Sequence, residues 1–327
     1  MNGFLLATFL LLAVGSTLGS NSNQYSSASY TGCRDTIPSV LKKNGLTKLA
    51  ALVTEAGLVD TLSGPGPFTL FAPTDEAFAS IDPNTLKIIL EDVNLLKDIL
   101  TYHVVAFEIP PSFLSATQQV YQLPTVQGSA PVRINVYREN GAITFDPVKT
   151  VTVNGALVLR KLKACNGYVY VIDKVLNPKD LMPENDQVAI FQRYGLTTIK
   201  KIFDVLGAVP SVNIFYRPET IFAPTDAAFT ALPPGLLDSL LADKKKLYKF
   251  INNQIVSGYH YSRGLETGPI LAAFGVVVDV QVSPGKITYG GANVVIPDIT
   301  NVQGVIHVVD AVLLTDEDYP ADKKYSY

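Results

Sequence analysis

The spacing of apolar residues changes along the chain from the period of a helix to that of a strand, and this change occurs twice. Helical spacing predicts a helix over residues 41–53 and one or two amphipathic helices over residues 86–100. A short strand is predicted between them at residues 68–71. Apolar residues then alternate in short runs from residue 132 to residue 176, and Asn-Gly pairs at positions 140, 154 and 166 predict tight turns. Helices followed by a meandering sheet indicate an α+β unit.

The same pattern returns because the chain carries two copies of this unit. Residues 71–78 read Phe-Ala-Pro-Thr-Asp-Glu-Ala-Phe, and residues 222–229 differ from them at one position. Residues 167–176 are similarly matched by residues 304–313. The offset of 151 residues between the first two segments is too long for a solenoid repeat of roughly 20–50 residues, so we expect a duplicated domain. The predicted boundaries are 33–178 for the first domain, 179–185 for a linker and 186–316 for the second domain.

The repeated octapeptide predicts a strand that turns directly into a helix. Thr74 and Thr225 stand where a hydroxyl can cap the first backbone N–H groups of the helix. Asp75 and Asp226 follow them, where a carboxylate opposes the positive end of the helix dipole. Because helix initiation explains all four residues, we interpret them as structural and not as catalytic.

The charge argues against nucleic-acid binding, and the N-terminal residues predict a secreted protein. With 47% hydrophobic residues and a formal charge of −3, the chain can bury a core but offers no basic surface for phosphates. Residues 4–14 form an apolar run that is too short to span a bilayer, and small residues after it predict a signal peptide at 1–19. We expect a flexible leader at 20–32, a polar tail at 317–327, and neither a membrane span nor a lipid anchor.

Two cysteines, Cys33 and Cys165, remain after the predicted signal peptide. An oxidising compartment favours a disulfide between them, which would tie the N-terminal segment to the last strand of the first domain. The alternative is a pair of exposed thiols that crosslink separate molecules.

The sequence lacks the residue patterns of common catalytic and metal sites. The three histidines, His103, His260 and His307, have no zinc-type spacing, and His307 stands at the strand position of Tyr170 in the first copy. No serine elbow, phosphate loop or nucleophilic cysteine pattern is present. We therefore expect no enzyme activity, no cofactor and no metal.

The duplicated segments resemble the two signature boxes of the fasciclin domain family. The boxes are similar to residues 69–81 and 167–178 in the first copy, and to residues 220–232 and 304–315 in the second. The resemblance implies two tandem fasciclin-like domains, each a β-wedge with a helical layer. It also implies an extracellular role in adhesion or matrix through protein partners, sometimes integrins. Some members of the family bind carotenoids instead.

A Tyr-His pair that is implicated in the adhesive activity of some family members resembles Tyr102-His103, whereas the second copy has Asn253-Gln254. This resemblance makes Tyr102 and His103 candidates for contact with a partner. The alternative is a packed, hydrogen-bonded junction between a helix and a strand.

Two functions remain open from the sequence. The first is adhesion or matrix binding to a cell-surface receptor, such as an integrin, or to a matrix protein, with self-association also open. The absence of Arg-Gly-Asp weakens a simple integrin interpretation. The second is an extracellular carrier of an apolar small molecule such as a carotenoid, held between helices and sheet or between domains.

Overall fold

The computed structural model describes residues 34–115, 120–138, 148–207, 218–273 and 275–315. The predicted signal peptide, leader, polar tail and Asn140-Gly141 turn lie outside these residues. The described residues belong to one compact unit. Within it, two copies of one arrangement follow each other along the chain.

In its described part, the first copy begins with helices and ends with strands. Its elements are α1 (Ile37–Lys43), α2 (Thr47–Glu55), α3 (Val59–Ser63), β1 (Phe68–Pro73), α4 (Asp75–Ala79), α5 (Pro83–Glu91), α6 (Val93–Tyr102), β2 (Val104–Val105), α7 (Pro111–Ser115), β3 (Val120–Pro124), β4 (Pro131–Arg138), β5 (Val148–Val153), β6 (Ala156–Ala164) and β7 (Gly167–Ile172). A 3₁₀ helix (Pro178–Leu181) follows in the predicted linker.

The second copy repeats this order. Its elements are α8 (Gln187–Arg193), α9 (Thr197–Leu206), β8 (Glu219–Pro224), α10 (Asp226–Thr230), α11 (Leu236–Ala242), α12 (Lys244–Asn253), β9 (Ile255–Ser257), a 3₁₀ helix (Ser262–Gly264), β10 (Gly268–Leu271), β11 (Val277–Ser283), β12 (Lys286–Tyr289), β13 (Ala292–Thr300) and β14 (Gly304–Val309).

The strands of each copy form one seven-stranded sheet with the same order. The first sheet runs β2-β1-β7-β6-β5-β4-β3, and the second runs β9-β8-β14-β13-β12-β11-β10 in the same direction. The first strand pairs in parallel with the last, β1 with β7 and β8 with β14. The ends of each sheet also approach each other, because Val126 N–H donates to Val104 O at 2.7 Å and Ala273 N–H donates to Ile255 O at 2.8 Å. Each sheet is therefore barrel-like.

Glycine is required where the last strand enters the parallel pair. A Cβ atom at Gly167 would lie 1.9 Å from the carbonyl oxygen of Phe68, and one at Gly304 would lie 1.7 Å from that of Glu219. No side chain fits at such distances. This close approach explains why the second repeated segment begins with glycine in both copies.

Each copy has two hydrophobic clusters. In the first copy, Leu41, Leu49 and Leu100 pack between the helices and one face of the sheet. Val132 and Ile134 lie in the other cluster, which fills the interior of the curved sheet. The sheet therefore buries apolar side chains on both faces around its central strands.

The structure confirms the α+β class and the predicted turn at Asn154-Gly155. Asn154 and Gly155 have φ values of 48° and 82° and connect the paired residues Val153 and Ala156. Gly290 and Gly291 make the same turn in the second copy, with φ values of 54° and 84°. Positive φ at both central positions defines the hairpin turn that matches the twist of the strands.

The boundaries of other elements differ from the predictions. The helix predicted over residues 41–53 divides into α1 and α2, because Gly45 adopts a φ of 76° between them. Strands β3 and β10 were not predicted, since both are short and lie at sheet edges. The parallel pairing of β1 with β7 joins segments about 100 residues apart along the chain, a distance at which local periodicity carries no signal.

Candidate functional site and the domain junction

The threonines of the repeated octapeptide cap the helices that follow them. Thr74 Oγ1 accepts a hydrogen bond from Ala77 N–H, and Thr225 Oγ1 accepts one from Ala228 N–H, both at 3.1 Å. Each threonine has an extended backbone, as a residue at the N-cap position does.

The aspartates after these threonines also bind a second helix, which the sequence did not indicate. The Asp75 carboxylate accepts hydrogen bonds from the Thr47 hydroxyl and from Lys48 N–H (2.9 Å) at the start of α2. Asp226 binds the Thr197 hydroxyl and Thr198 N–H (2.8 Å) at the start of α9 in the same way. Neither α2 nor α9 has a side-chain cap of its own. The aspartates therefore join two helix starts, a contact that only tertiary structure creates.

Tyr102 and His103 lie inside the first copy, with 0% and 1% of their surfaces exposed. The Tyr102 hydroxyl donates to Pro131 O at 2.7 Å and accepts from Asn154 Nδ2 at 2.8 Å. His103 Nδ1 lies 2.8 Å from Ile99 O, and His103 Nε2 accepts from Leu176 N–H at 2.9 Å. The ring must be neutral to do both. Burial lowers the pKa of His103 to about 4, although the bond to Ile99 opposes this shift.

The second copy makes the same junction with Gln254 in place of His103. Leu313 N–H, the counterpart of Leu176 N–H, points to Gln254 Oε1 at 3.4 Å, and Gln254 Nε2 donates to Leu313 O at 2.8 Å. The carbonyl oxygens of His103 and Gln254 both accept from the first β-strand of their copies. The two side chains thus serve one structural purpose. This geometry is that of a packed junction, and contact of Tyr102 or His103 with a partner remains a prediction.

His307 likewise replaces the hydroxyl of Tyr170. The Tyr170 hydroxyl donates to Ile109 O at 2.7 Å, and His307 Nε2 lies 2.7 Å from His260 O at the corresponding place. His307 is fully buried, and burial lowers its pKa. Within the described residues, no group of three or more His, Cys, Asp or Glu side chains could hold a metal ion.

The predicted disulfide involves Cys33, which lies outside the described residues. Cys165 is in the turn between β6 and β7, and its N–H donates to Asp35 O at 2.9 Å. The backbone two residues after Cys33 therefore lies beside Cys165, as the pairing requires. Val302 N–H makes the corresponding bond to Asn185 O in the second copy, where neither residue is a cysteine. The pairing itself remains a prediction.

Arg133 is a junction residue that no motif or spacing in the sequence singles out. It lies on β4 of the first copy and is 0% exposed, because the second copy covers it. Its Nη1 donates to Gly304 O at 3.1 Å, and its Nη2 donates to Asn301 O (3.1 Å) and Val302 O (3.2 Å). The guanidinium carbon also lies 3.9 Å from the centre of the Tyr259 ring. Carbonyl dipoles and the ring face replace most of the water that this cation loses on burial, and of its guanidinium nitrogens only Nε has no hydrogen-bond partner among the described residues.

Further polar contacts surround Arg133 across the junction of the two copies. The side chains of Asn135 and Tyr137 both donate to Tyr259 O at 3.3 Å, and Tyr261 N–H donates to the Tyr137 hydroxyl at 3.2 Å. A Cβ atom at Gly155 would lie 2.7 Å from the Tyr261 ring. The tight Asn-Gly turn therefore also allows the second copy to approach closely.

Tyr102 connects to this junction through one residue. The Asn154 side chain donates to the Tyr102 hydroxyl, while its Oδ1 accepts from Arg133 N–H at 2.7 Å. The carbonyl oxygen of Asn154 accepts from the Thr300 hydroxyl of the second copy at 3.2 Å. Tyr102 thus supports the turn that contacts the second copy. A substitution at Tyr102 can therefore alter the junction through Asn154, although Tyr102 itself makes none of these bonds to the second copy.

Comparison with known proteins agrees with the internal duplication. A family model for the fasciclin domain matches residues 44–178 and 195–315. Human periostin is 28% identical over 267 residues, which is 79% of this chain and 30% of periostin. The cell surface glycolipoprotein MPB83 of Mycobacterium bovis is 36% identical over 124 residues, which is 38% of this chain and 49% of that protein. The matched region thus spans less than half the length of each relative.

Among solved structures, a FAS1 domain pair from the insect cell adhesion molecule fasciclin I aligns with a TM-score of 0.40 and 21% identity, over 85% of this chain and 99% of that chain.

The fold and the junction define a protein made of two α+β domains in tandem. Because the family model matches both copies and most of the chain, the chain belongs to the fasciclin domain family. This confirms the resemblance found in the repeated segments. In the described part of the chain, no helix is long and apolar enough to cross a membrane.

The burial of His103 predicts an acid-sensitive first domain. Its pKa is below that of an exposed histidine, so its contribution to stability is complete above about pH 6.5 and is lost as the pH falls toward 4. His103→Gln copies the second domain and removes the titrating group. Between pH 7 and pH 4.5, we expect the free energy of unfolding of this variant to fall by about 2 kcal/mol less than that of the wild type. Urea unfolding at both pH values measures this difference.

Gln254→His is the reciprocal control and should add acid sensitivity to the second domain. Equal acid destabilisation of the wild type and His103→Gln would contradict the assignment.

The burial of Arg133 predicts that the domains unfold together. Arg133→Ala removes three hydrogen bonds to junction carbonyl oxygens, of which Gly304 O keeps its bond from Asn301 N–H. We therefore expect the free energy of unfolding to fall by about 3 kcal/mol and a single calorimetric transition to separate into two. Arg160→Ala is the matched control, because this exposed arginine also donates to a carbonyl, Asn44 O at 2.7 Å, but within the first domain. An unchanged transition in Arg133→Ala would show that the junction does not couple the domains.

Proposed function

We propose that this protein is secreted and acts in cell adhesion or the extracellular matrix by binding other proteins through the surfaces of its fasciclin domains. Membership of the fasciclin family supports the proposal, and so does the cell surface location in the name of MPB83. The apolar run at residues 4–14 supports secretion. We propose no catalytic activity for the two domains.

The observation that carries this proposal is the arginine-centred junction. Two domains that share a buried cation and a set of polar contacts present their outer surfaces at one fixed spacing. A partner that binds both domains then loses little conformational freedom from this protein, which favours affinity. If the two domains were flexibly linked, each binding event would also have to fix their relative positions.

The partners that we propose are a cell-surface receptor, with integrins among the candidates, or a matrix protein, with self-association also open. Tyr102 and His103 remain candidate residues for this activity. Since both side chains are buried, we propose that they act indirectly, Tyr102 through Asn154 and the junction and His103 through the helix end. The Cys33–Cys165 disulfide is part of the proposal and would fix the N-terminal segment beside the turn that contains Cys165.

A cavity between the domains favours a second candidate function, the carriage of a small apolar molecule. It has a volume of about 520 Å³, within the range of small-molecule sites. The first domain contributes Val120, Asn135 and Tyr137 to its lining, and the second contributes Tyr259, Leu265 and Ile270. This mixture of apolar and polar groups suits a molecule with an apolar body and a hydroxyl end, such as a hydroxylated carotenoid.

The adhesion proposal predicts that cells attach to surfaces coated with the full chain. We expect attachment well above an albumin coat, and we expect Tyr102→Ala to lower both attachment and melting temperature, because it removes a buried ring and two hydrogen bonds. Tyr102→Phe, which keeps the ring, is the milder control. Attachment that falls while the melting temperature stays constant would instead indicate direct contact. Absence of attachment to the wild type would refute adhesion to these cells.

The carrier proposal predicts a visible absorption band that stays with the protein through gel filtration after incubation with zeaxanthin. Ile270→Trp should reduce this band severalfold by filling the cavity, whereas Ile88→Trp, at an exposed position of the first domain, should not. A colourless wild-type protein would remove this candidate.

A further inference from the structure

The two domains use corresponding faces in different ways. On the outward face of β3 and β4 in the first domain, Gln122 pairs across the strands with Arg133. The second domain covers Arg133, whereas Gln122 stays exposed and its Nε2 donates to the Tyr259 hydroxyl at 3.3 Å.

The corresponding strands of the second domain are β10 and β11. Arg133 O accepts from Asn154 N–H at 2.8 Å, and Asp279 O accepts from Gly290 N–H at 2.8 Å in the equivalent turn. Asp279 is therefore the counterpart of Arg133.

The face around Asp279 is exposed and partly apolar. The cross-strand pairs Leu271–Val277 and Pro269–Asp279 point outward together. Leu271 is 59% exposed and Val277 is 66% exposed, values among the highest for large apolar side chains in the described residues. Contiguous exposed apolar side chains with polar residues at their rim mark candidate protein-binding surfaces. We call these four residues the 269–279 face.

A second copy of this chain does not fit the 269–279 face by repeating the internal junction. In that junction Arg133 stacks on Tyr259, and the residue at the position of Tyr259 in the first domain is Glu108. A head-to-tail repeat would thus place Asp279 against Glu108. Glu108 already pairs with Lys163 at 2.8 Å, and a carboxylate at position 279 cannot donate hydrogen bonds to carbonyl oxygens as the Arg133 guanidinium does. The same substitutions prevent the open-ended chains that a head-to-tail interface otherwise produces.

We propose that the 269–279 face binds a protein partner that presents an arginine or lysine between apolar side chains. The cation would pair with the Asp279 carboxylate, and the apolar side chains would cover Leu271 and Val277. The face continues the use that the first domain makes of the same strands, with the sign of the central charge reversed. This inference rests on the adhesion proposal and assigns it a surface.

Two variants of the full chain test the face in the cell-attachment assay. Asp279→Arg reverses its charge, and Leu271→Ser with Val277→Ser removes its apolar part. We expect each to lower attachment at least tenfold with an unchanged melting temperature, since all three side chains are exposed. Ile88→Ser with Val93→Ser is the matched control, because these residues of the first domain are 60% and 49% exposed. Attachment to the wild type that neither face variant reduces would overturn the face and leave the adhesion proposal standing.

If the wild type does not support attachment, adhesion to these cells is refuted, and a direct binding measurement then tests the face separately. The probe is a labelled synthetic peptide of alternating leucine and arginine, with a leucine–glutamate peptide as its control. We expect binding of the arginine peptide only, with the Kd raised at least tenfold by Asp279→Arg. Equal binding by wild type and variant, or no binding, would overturn the inference. A concentration-dependent mass in sedimentation that Asp279→Arg abolishes would make the occupant a second copy and overturn the proposed partner.

Discussion

The arrangement of the two domains depends on the burial of the Arg133 guanidinium. A cation without water is unstable in a protein interior unless other groups solvate it. Here the backbone carbonyls of residues 301, 302 and 304 and the ring of Tyr259 do so, and all of them belong to the other domain. If the domains separated, the carbonyl oxygens and the cation would lose each other and would have to be hydrated instead. The turn at Asn154-Gly155 and the strands beside it are therefore held in one position relative to the second domain.

The duplication separates what the fasciclin fold requires from what this chain adds. Both domains keep a threonine cap, an aspartate that joins two helices, and a glycine at the entry of the last strand. Other positions keep a hydrogen bond but change the residue, as His103 and Gln254 do. At the junction the residue types diverge, with Arg133 against Asp279 and Tyr259 against Glu108. Divergence of this kind matches surfaces that have acquired different neighbours, and it is where the functional proposals concentrate.

Much of the fold was predictable because its signals are local. The capped helix after Thr74 and the turn at Asn154-Gly155 depend on residues a few positions apart, and both occur as expected. The candidate pair Tyr102-His103 was found from its resemblance to a family motif, and the sequence left open whether the pair forms a packed junction or contacts a partner. A tyrosine or histidine can be buried or exposed with the same local sequence, and only the packing of β2, β7 and the Asn154 turn decides between them. Arg133 was missed because a single arginine on an alternating strand normally faces water.

The sequence by itself determined the duplication, the fasciclin family and the order of helices and strands, since each follows from repeated motifs and from the period of apolar residues. Only the tertiary structure decided where the charged and polar residues lie relative to the other domain. It buries Arg133 but leaves Asp279 exposed on the corresponding strand. The reason is that burial depends on which distant backbone approaches a side chain, and no spacing within one strand records that approach.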